Sequence, residues 1–261
     1  MAPGNLVDFG DLATAPGAQS VDHWYFLAGV DAWLPKRHGA LVVVGDSITD
    51  GRGSTTNAND RWPDQLLARL QKGGGPLANI AVINEAAGGN RVLYDGLGPN
   101  ALGRIDRDVL SGPAGARYAL VYEGVNDIGT CSTDPEAQRS MADRLIAAFD
   151  QIATRLHRAG IPAFGATITP FCGDPSVQPY SNPVREAQRQ RVNEWIRSSG
   201  RFDAVVDFDA AVRDPRNASQ LNPEFDSGDH LHLNPAGYKV MAEAVDLTLF
   251  TKFADGVQRM L

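Results

Sequence analysis

The sequence has little cysteine, no long apolar run and no excess of basic residues, and each shortage excludes a class of protein. Two cysteines among 261 residues, Cys131 and Cys172, are too few for a disulfide scaffold or a multi-cysteine zinc site. No apolar stretch approaches the roughly 20 residues that a membrane-spanning helix needs. A formal net charge of −7 argues against nucleic acid or an anionic membrane as the main partner, because phosphates select basic surfaces.

The N-terminal region shows no targeting segment. Met1–Asn5 lacks a basic start followed by an apolar core, so no signal peptide is predicted, and the compartment stays open. The aromatic-rich segment Val21–Leu27 suits an added edge strand or an apolar strap that serves packing. We expect a single domain over residues 1–261, in which residues 1–39 form an extension packed on the core.

Strand-like and helix-like patterns alternate along the chain, which predicts a parallel sheet covered by helices on both faces. The helices are marked by proline at the first helical position and, in most cases, a polar cap before it. They begin near Trp62, Pro135, Pro183 and Pro235. The strand candidates are short, apolar and mostly β-branched, and they are Leu41–Val44, Ile80–Ile83, Ala119–Val121, Ala163–Ile168 and Ala204–Phe208.

Four short segments carry residues that suit acyl transfer. They are Gly45–Gly51, Gly88–Asn90, Gly124–Asp127 and Asp229–His232. Because ligands bind at the carboxyl ends of strands in open parallel sheets, these segments can converge on one edge. Together they supply a nucleophile, a base, a group that orients the base, and donors for an oxyanion.

Ser47, His232 and Asp229 are the candidates for nucleophile, base and orienting group. Ser47 lies in a glycine-flanked turn, which can present a hydroxyl and a free backbone N–H. The short spacing lets Asp229 accept from one ring nitrogen of His232 while the other nitrogen faces Ser47. His230 is the competing base, Asp229 could merely cap a turn, and Ser47 alone could be an ordinary turn or N-cap residue.

Asn126 and one glycine of the pair Gly88 and Gly89 are candidate oxyanion donors. The side-chain amide of Asn126 is a neutral donor, and a glycine lets its backbone N–H approach a ligand closely. The structural alternatives are an Asx turn at Asn126 and a tight loop at the two glycines.

The four segments resemble the blocks of the SGNH/GDSL hydrolase superfamily: Gly-Asp-Ser, a lone Gly, Gly-x-Asn-Asp and Asp-x-x-His. The resemblance spans about residues 41–250. It implies a flavodoxin-like, three-layer α/β/α fold with a parallel five-stranded sheet. It also implies Ser47 as nucleophile and His232 as base, oriented by Asp229.

The resemblance implies an oxyanion hole made of the Ser47 N–H, a glycine N–H and the Asn126 side chain. Counting from Asn84, as in the family's Asn-x-Gly-x-x-Gly pattern, favours Gly89 over Gly88, although an alanine stands at the first glycine. No metal or organic cofactor is implied.

We therefore predict a serine esterase that acts on short-chain, acetyl-type esters of small molecules or carbohydrates. The stretch from Gly45 to Asp64 is similar to an acetylxylan-esterase-like or arylesterase-like branch, which points to acetylated carbohydrate. The oligomeric state stays open. So does the state of Cys131 and Cys172, which each follow a strand and could form a disulfide or be two free thiols.

Two alternatives belong to other functional classes. One is a non-catalytic carbohydrate-binding protein on the same fold, which the intact set of catalytic residue types disfavours. The other is a metal-dependent phosphoesterase, which leaves Ser47 and Asn126 without roles. Its candidate ligands are Asp46, Asp50, Asp127, Asp229, His230 and His232.

Overall fold

A computed structural model describes residues 4–6, 8–20, 29–35, 37–112 and 115–257. The chain divides into two compact units, residues 1–32 and residues 33–261. In the first unit Leu12–Thr14 forms a 3-10 turn, which the side chain of Asp11 caps. The segment Val21–Leu27, predicted as an edge strand or strap, lies outside the described residues. The packing of residues 1–39 on the core stays a prediction.

A five-stranded parallel sheet lies at the centre of the second unit. This sheet confirms the predicted fold class. Its strands are β1 (Gly39–Gly45), β2 (Ile80–Asn84), β3 (Ala116–Tyr122), β4 (Ala163–Ala166) and β5 (Ala204–Val206). Their spatial order is β2-β1-β3-β4-β5, and every neighbouring pair is parallel. The order reverses at β1, which creates the switch point where open α/β sheets bind ligands. A small antiparallel pair, which the sequence did not predict, consists of β6 (Arg213–Asp214) and β7 (Asn217–Leu221).

Helices flank this sheet in the arrangement of a three-layer fold. In the described part of the chain, every helix is too short or too polar to cross a membrane. The helices are α1 (Ser47–Asp50), α2 (Trp62–Gly73), α3 (Ala101–Ile105), α4 (Val125–Thr130), α5 (Pro135–Arg158), α6 (Pro183–Ser198), α7 (Phe208–Val212), α8 (Pro235–Ala244) and α9 (Leu249–Lys252). Helix α2 packs against α8, and α5 packs against α6.

The long helices begin where the sequence predicts them to begin. Asp134, Asn182 and Asn234 cap α5, α6 and α8, and each side chain accepts a hydrogen bond from a backbone N–H of the first turn. A proline follows each cap, where its missing N–H costs nothing. These local signals place α8 directly after the segment that carries His232.

Two strands, β4 and β5, are shorter than predicted. β4 ends at Ala166 rather than Ile168, and β5 ends at Val206 rather than Phe208. Asp207 caps α7 with its side chain, so the chain leaves the sheet there. The apolar residues beyond the strand ends continue into the core as loop and helix.

Aromatic packing fixes the helices beneath the carboxyl ends of the strands. Phe208 of α7 meets Trp62 of α2 at 5.2 Å and Tyr122 of β3 at 5.1 Å between ring centroids, both edge to face. All three side chains are buried, and burial of each such ring stabilises the fold by about 1.5–3 kcal/mol. These contacts hold α2 and α7 against β3 near the edge of the sheet that carries the four predicted segments.

Candidate active site

Ser47 is the first residue of α1, directly after β1. The side chain of Asp46 caps this helix and accepts a hydrogen bond from the Ile48 N–H at 2.9 Å. The helix ends after one turn at Gly51, whose φ of +106° lies in the left-handed region that favours glycine. The one-turn helix holds the Ser47 hydroxyl at the carboxyl edge of the sheet.

Ser47, His232 and Asp229 form a continuous chain of hydrogen bonds. The Ser47 hydroxyl lies 2.7 Å from Nε2 of His232, although 185 residues separate the two positions. On the other side of the ring, Nδ1 lies 2.6 Å from Oδ2 of Asp229. With a proton on Nδ1, Nε2 is free to accept the proton of the serine hydroxyl.

The loop before α8 holds the carboxylate of Asp229 in place. Its Oδ1 accepts hydrogen bonds from the backbone N–H groups of Leu231 at 3.0 Å and His232 at 2.8 Å. Its Oδ2 is left for the imidazole, and Arg52 approaches this oxygen to 3.9 Å. Although burial alone would raise the pKa of Asp229, the hydrogen bonds from His232 lower it below its usual value.

Burial sets the charge state of His232. Its side chain is only 5% exposed, and burial lowers the pKa of the imidazole in spite of the neighbouring Asp229. The positive charge of Arg52 acts in the same direction. At neutral pH the ring is therefore uncharged, which is the form that can accept a proton.

Two backbone N–H groups of the predicted oxyanion hole are left without a backbone acceptor among the described residues. In the described part of the chain, neither the Ser47 N–H nor the Gly89 N–H donates to a backbone acceptor. Gly89 has a φ of +73°, and a Cβ there would overlap with the side chain of Leu97. At Gly88 a Cβ would make only an ordinary contact with Asp50. The backbone thus requires glycine at position 89 and not at position 88.

Asn126, the third predicted oxyanion donor, lies on α4. Its Nδ2 donates one hydrogen to the Asn90 carbonyl oxygen at 2.9 Å, so a second N–H hydrogen remains. Its Oδ1 accepts a hydrogen bond from the Tyr180 hydroxyl at 3.0 Å. Tyr180 was missed from the sequence, because it lies 54 residues from Asn126 and no local pattern links the two.

Asp127 ties the second predicted segment to the third. Its carboxylate accepts hydrogen bonds from the backbone N–H groups of Val92 at 2.8 Å and Leu93 at 3.0 Å. Burial raises the pKa of Asp127 to about 6, against these stabilising hydrogen bonds. This residue therefore holds the loop of Gly89 against α4.

His230, the competing base, pairs with Asp226 and not with Ser47. Its Nδ1 lies 2.6 Å from Oδ2 of Asp226, and its ring packs against Gly173, where a Cβ would overlap with it. Its φ of +61° turns the backbone into the left-handed region. His230 is one half of a second histidine–aspartate pair that braces two loops.

Arg104 is a buried residue with several polar contacts, and the sequence analysis did not identify it. It is 4% exposed and forms ion pairs with Asp108 at 2.6 Å and Glu123 at 3.5 Å. It also donates to the carbonyl oxygen of Gly45 and the side chain of Asn90. Only the spacing of four between Arg104 and Asp108 signals the pair in the sequence. Loss of the arginine would leave buried carboxylates unpaired, which typically costs about 3–5 kcal/mol.

Two carboxyl groups beneath the nucleophile are buried beside this arginine. Burial raises the pKa of Asp46 to about 7, and the charge of Asp127 adds to the effect. Burial and the nearby Asp46 also raise the pKa of Glu123 well above its usual range. The charge of Arg104 acts against this rise, and one oxygen of Glu123 has no hydrogen-bond partner among the described residues.

A cavity of about 320 Å³ is lined by the loop after Asn90, the end of α4 and one residue of α5. The hydroxyl of Thr130 in its wall donates to the Asn126 carbonyl oxygen at 2.6 Å. Cys131 also lines the cavity, and both it and Cys172 are free thiols, which settles the alternative of a disulfide. The lining residues are Arg91, Tyr94, Asp95, Thr130, Cys131 and Met141.

Comparison with known proteins concerns the family and the fold of the chain. A model of the family described as GDSL-like lipase/acylhydrolase matches residues 41–245. No curated protein matches the chain. Among solved structures, a GDSL-like lipase from Bacteroides thetaiotaomicron superposes with a TM-score of 0.60 at 16% identity, over 85% of this chain and 92% of its own.

Two further structures have the same fold at low identity. A putative acylhydrolase from Bacteroides fragilis has a TM-score of 0.58 and 17% identity, over 82% of this chain and 87% of its own. Axe2, an acetylxylan esterase from Geobacillus stearothermophilus, has a TM-score of 0.56 and 20% identity, over 80% and 94% of the two chains. Because the family match covers well over half of the sequence, this chain belongs to the GDSL-like lipase/acylhydrolase family and is a carboxylic ester hydrolase.

Proposed function

We propose that this protein is a serine esterase in which Ser47 is the nucleophile, His232 the general base and Asp229 the group that orients the base. The observation that supports this assignment best is the unbroken path from the Ser47 hydroxyl through the imidazole to the Asp229 carboxylate, at 2.7 Å and 2.6 Å. Both distances are those of hydrogen bonds that can transfer or stabilise a proton.

The reaction follows from the roles of these groups. Nε2 of His232 takes the proton of Ser47 while Oγ bonds to the ester carbonyl carbon. The resulting imidazolium is stabilised by Asp229, and it returns the proton to the leaving alcohol as the ester C–O bond breaks. Water then gives a proton to His232 as its oxygen bonds to the acyl carbon. The imidazolium returns that proton to Oγ of Ser47 as the acyl C–O bond breaks, which releases the carboxylic acid and free Ser47.

The oxyanion formed in each step is assigned to three donors: the N–H groups of Ser47 and Gly89 and the second Nδ2 hydrogen of Asn126. All three are N–H donors, which stabilise negative charge as it develops on the carbonyl oxygen. Loss of one such donor typically raises the barrier by about 3 kcal/mol.

The substrate that we propose is a short-chain ester, with acetylated carbohydrate as the preferred class. The cavity at the end of α4 offers an exposed aromatic ring at Tyr94 together with the polar groups of Arg91, Asp95 and Thr130. An amphipathic ring surrounded by hydrogen-bonding groups suits a sugar better than a long acyl chain. The similarity to Axe2, an acetylxylan esterase, supports the same direction.

A panel of nitrophenyl esters of increasing acyl length, together with acetylated oligosaccharides, tests this proposal. Acetate and butyrate esters are expected to be hydrolysed fastest, with release of acetate from the oligosaccharides. Ser47→Ala and His232→Ala should abolish turnover of every ester. A preference for long acyl chains would reject the carbohydrate assignment and leave the serine mechanism standing.

The alternative of a metal-dependent phosphoesterase is not favoured, because its candidate ligands are engaged elsewhere. Asp46 caps α1, Asp127 accepts two backbone N–H groups, and Asp229 holds His232. Within the described ranges, no three His, Cys, Asp or Glu residues are arranged to bind a metal ion. Ester hydrolysis that survives a chelator but not Ser47→Ala would separate the two functions.

A further inference from the structure

The segment between β4 and α6 contacts the proposed oxyanion donor from outside the four family segments. Its Tyr180 hydroxyl donates to Oδ1 of Asn126 at 3.0 Å. We propose that Tyr180 is a positioning residue, which fixes the Asn126 amide so that its second Nδ2 hydrogen faces the oxyanion. This inference depends on the proposed function, since it assumes that Asn126 is a donor to the reacting ester.

The Asn126 amide is held at both ends. Nδ2 donates to the Asn90 carbonyl oxygen, and Oδ1 accepts from Tyr180. A half-turn of the amide would bring Oδ1 against the Asn90 carbonyl oxygen, so that two acceptors would face each other without a hydrogen. Tyr180 adds the second restraint, and its donation to Oδ1 polarises the amide, which strengthens the N–H as a donor.

The surroundings of Tyr180 are built to hold its ring at this place. The ring lies so close to Gly129 of α4 that a Cβ on this glycine would overlap with it. The ring of Phe171 meets Tyr180 edge to face, with centroids 6.4 Å apart. Its hydroxyl therefore reaches Asn126 from a packed position rather than from a free side chain.

Gln178 connects the same segment to the opposite side of the site. Its Oε1 accepts a hydrogen bond from the Tyr180 N–H at 3.0 Å, and its Nε2 donates to the Asp229 carbonyl oxygen at 2.9 Å. Gln178 is buried, so these bonds are shielded from water. One segment thus holds the donor Asn126 and the loop of His232 at a fixed separation.

Tyr180 remains a donor over the working range of a serine esterase. Burial raises the pKa of its phenol, and the negative charge of Asp46 adds to the effect. The phenol is therefore protonated and uncharged at neutral and mildly alkaline pH. A neutral hydroxyl restrains the amide without adding a negative charge beside the proposed oxyanion.

A double-mutant cycle with Tyr180→Phe and Asn126→Ala tests the inference on an acetate ester. Tyr180→Phe keeps the ring and removes only the hydroxyl. We expect kcat to fall about tenfold, which is less than the loss typical of removing an oxyanion donor itself. KM should change less than about twofold. In the Asn126→Ala background, Tyr180→Phe should cause no further loss, because the amide that it orients is gone.

Tyr118→Phe is the matched control. The Tyr118 hydroxyl is buried and donates to the Phe250 carbonyl oxygen at 2.7 Å, at the other end of β3 from Asn126. Loss of this hydroxyl removes a comparable hydrogen bond, and kcat should stay as in the wild type. If both tyrosine variants lower kcat alike, or if Tyr180→Phe lowers it equally with and without Asn126, the positioning role is wrong.

Gly129→Ala approaches the same contact from the helix. The added methyl group must displace the Tyr180 ring, so we expect a loss of kcat that also vanishes in the Asn126→Ala background. Failure of the proposed function would be distinct from failure of this inference: Ser47→Ala would then retain turnover, or Asn126→Ala alone would have no effect. With both of those variants impaired, an unchanged kcat in Tyr180→Phe would refute the role of Tyr180 alone.

Discussion

Two histidine–aspartate pairs lie side by side in the loop before α8, and only one of them meets a serine. In both pairs Nδ1 of the ring lies 2.6 Å from a carboxylate oxygen, and in both the same carboxylate also accepts the histidine's own backbone N–H. The pairs differ in their surroundings. The side chain of His232 is 5% exposed and faces Ser47, whereas that of His230 is 33% exposed and packs on Gly173.

This comparison shows that the pair by itself does not make a base. Burial of His232 lowers its pKa and keeps its Nε2 unprotonated beside a hydroxyl. His230 also pairs with an aspartate of the same loop, but at a spacing of four rather than three, and its backbone has a φ of +61°. The same two side chains therefore give a proton acceptor in one place and a structural brace in the other.

Removal of each imidazole should give the largest difference in kcat between the two pairs. His232→Ala is expected to lower kcat for an acetate ester by at least about 10⁴-fold, because the proton of Ser47 then has no acceptor. His230→Ala should change kcat by less than about threefold, as expected away from the reacting atoms. Steady-state kinetics of both variants check this. Comparable losses in the two would show that the assignment of the base is wrong.

Neutralisation of each aspartate should give the next largest difference. Asp229→Asn keeps the shape but can leave the wrong tautomer on His232, so we expect kcat to fall by about 10²–10⁴-fold. Asp226→Asn should leave kcat close to that of the wild type. The two variants are to be compared at saturating ester. A silent Asp229→Asn would mean that the backbone alone orients the imidazole.

The pH dependence sharpens the comparison further. Because burial and Arg52 lower the pKa of His232, kcat/KM should rise with pH along an acid limb that lies below the usual pKa of histidine, 6.5. Arg52→Gln removes a positive charge near the ring. Its removal favours the imidazolium, so the pKa of His232 should rise and the acid limb should move to higher pH. His230→Ala should leave the limb in place, and a limb that moves with His230 would contradict the assignment.

The smallest expected effect concerns stability rather than activity. His230→Ala removes a partly exposed hydrogen bond to Asp226 and the contact with Gly173, which should reduce the free energy of unfolding by about 1 kcal/mol. For a domain of this size that corresponds to a fall in Tm of about 2–4 °C. Thermal unfolding followed by circular dichroism measures it. An unchanged Tm would show that His230 does not brace the two loops.

The amino-acid sequence by itself determined the architecture and the identity of the family. Short apolar runs and capped helices are local signals, and they predicted all five strands of the main sheet and the four long helices. Residues held close to a turn, such as Ser47 after β1 and Asp229 three positions before His232, were found in the same way. His232 was preferred to His230 because Asp229 lies three positions before it, and the resemblance implied the same choice.

Only the tertiary structure decided which distant groups meet. The Ser47 hydroxyl reaches His232 across 185 residues, and Tyr180 reaches Asn126 across 54. Arg104 collects carbonyl and carboxyl groups from several strand ends, an arrangement that no periodicity marks. The ends of β4 and β5 were misplaced for a related reason: an apolar run shows that a segment is buried, but not whether it is buried as strand, loop or helix. Local patterns specify elements, whereas a site is made of contacts that form only when those elements pack.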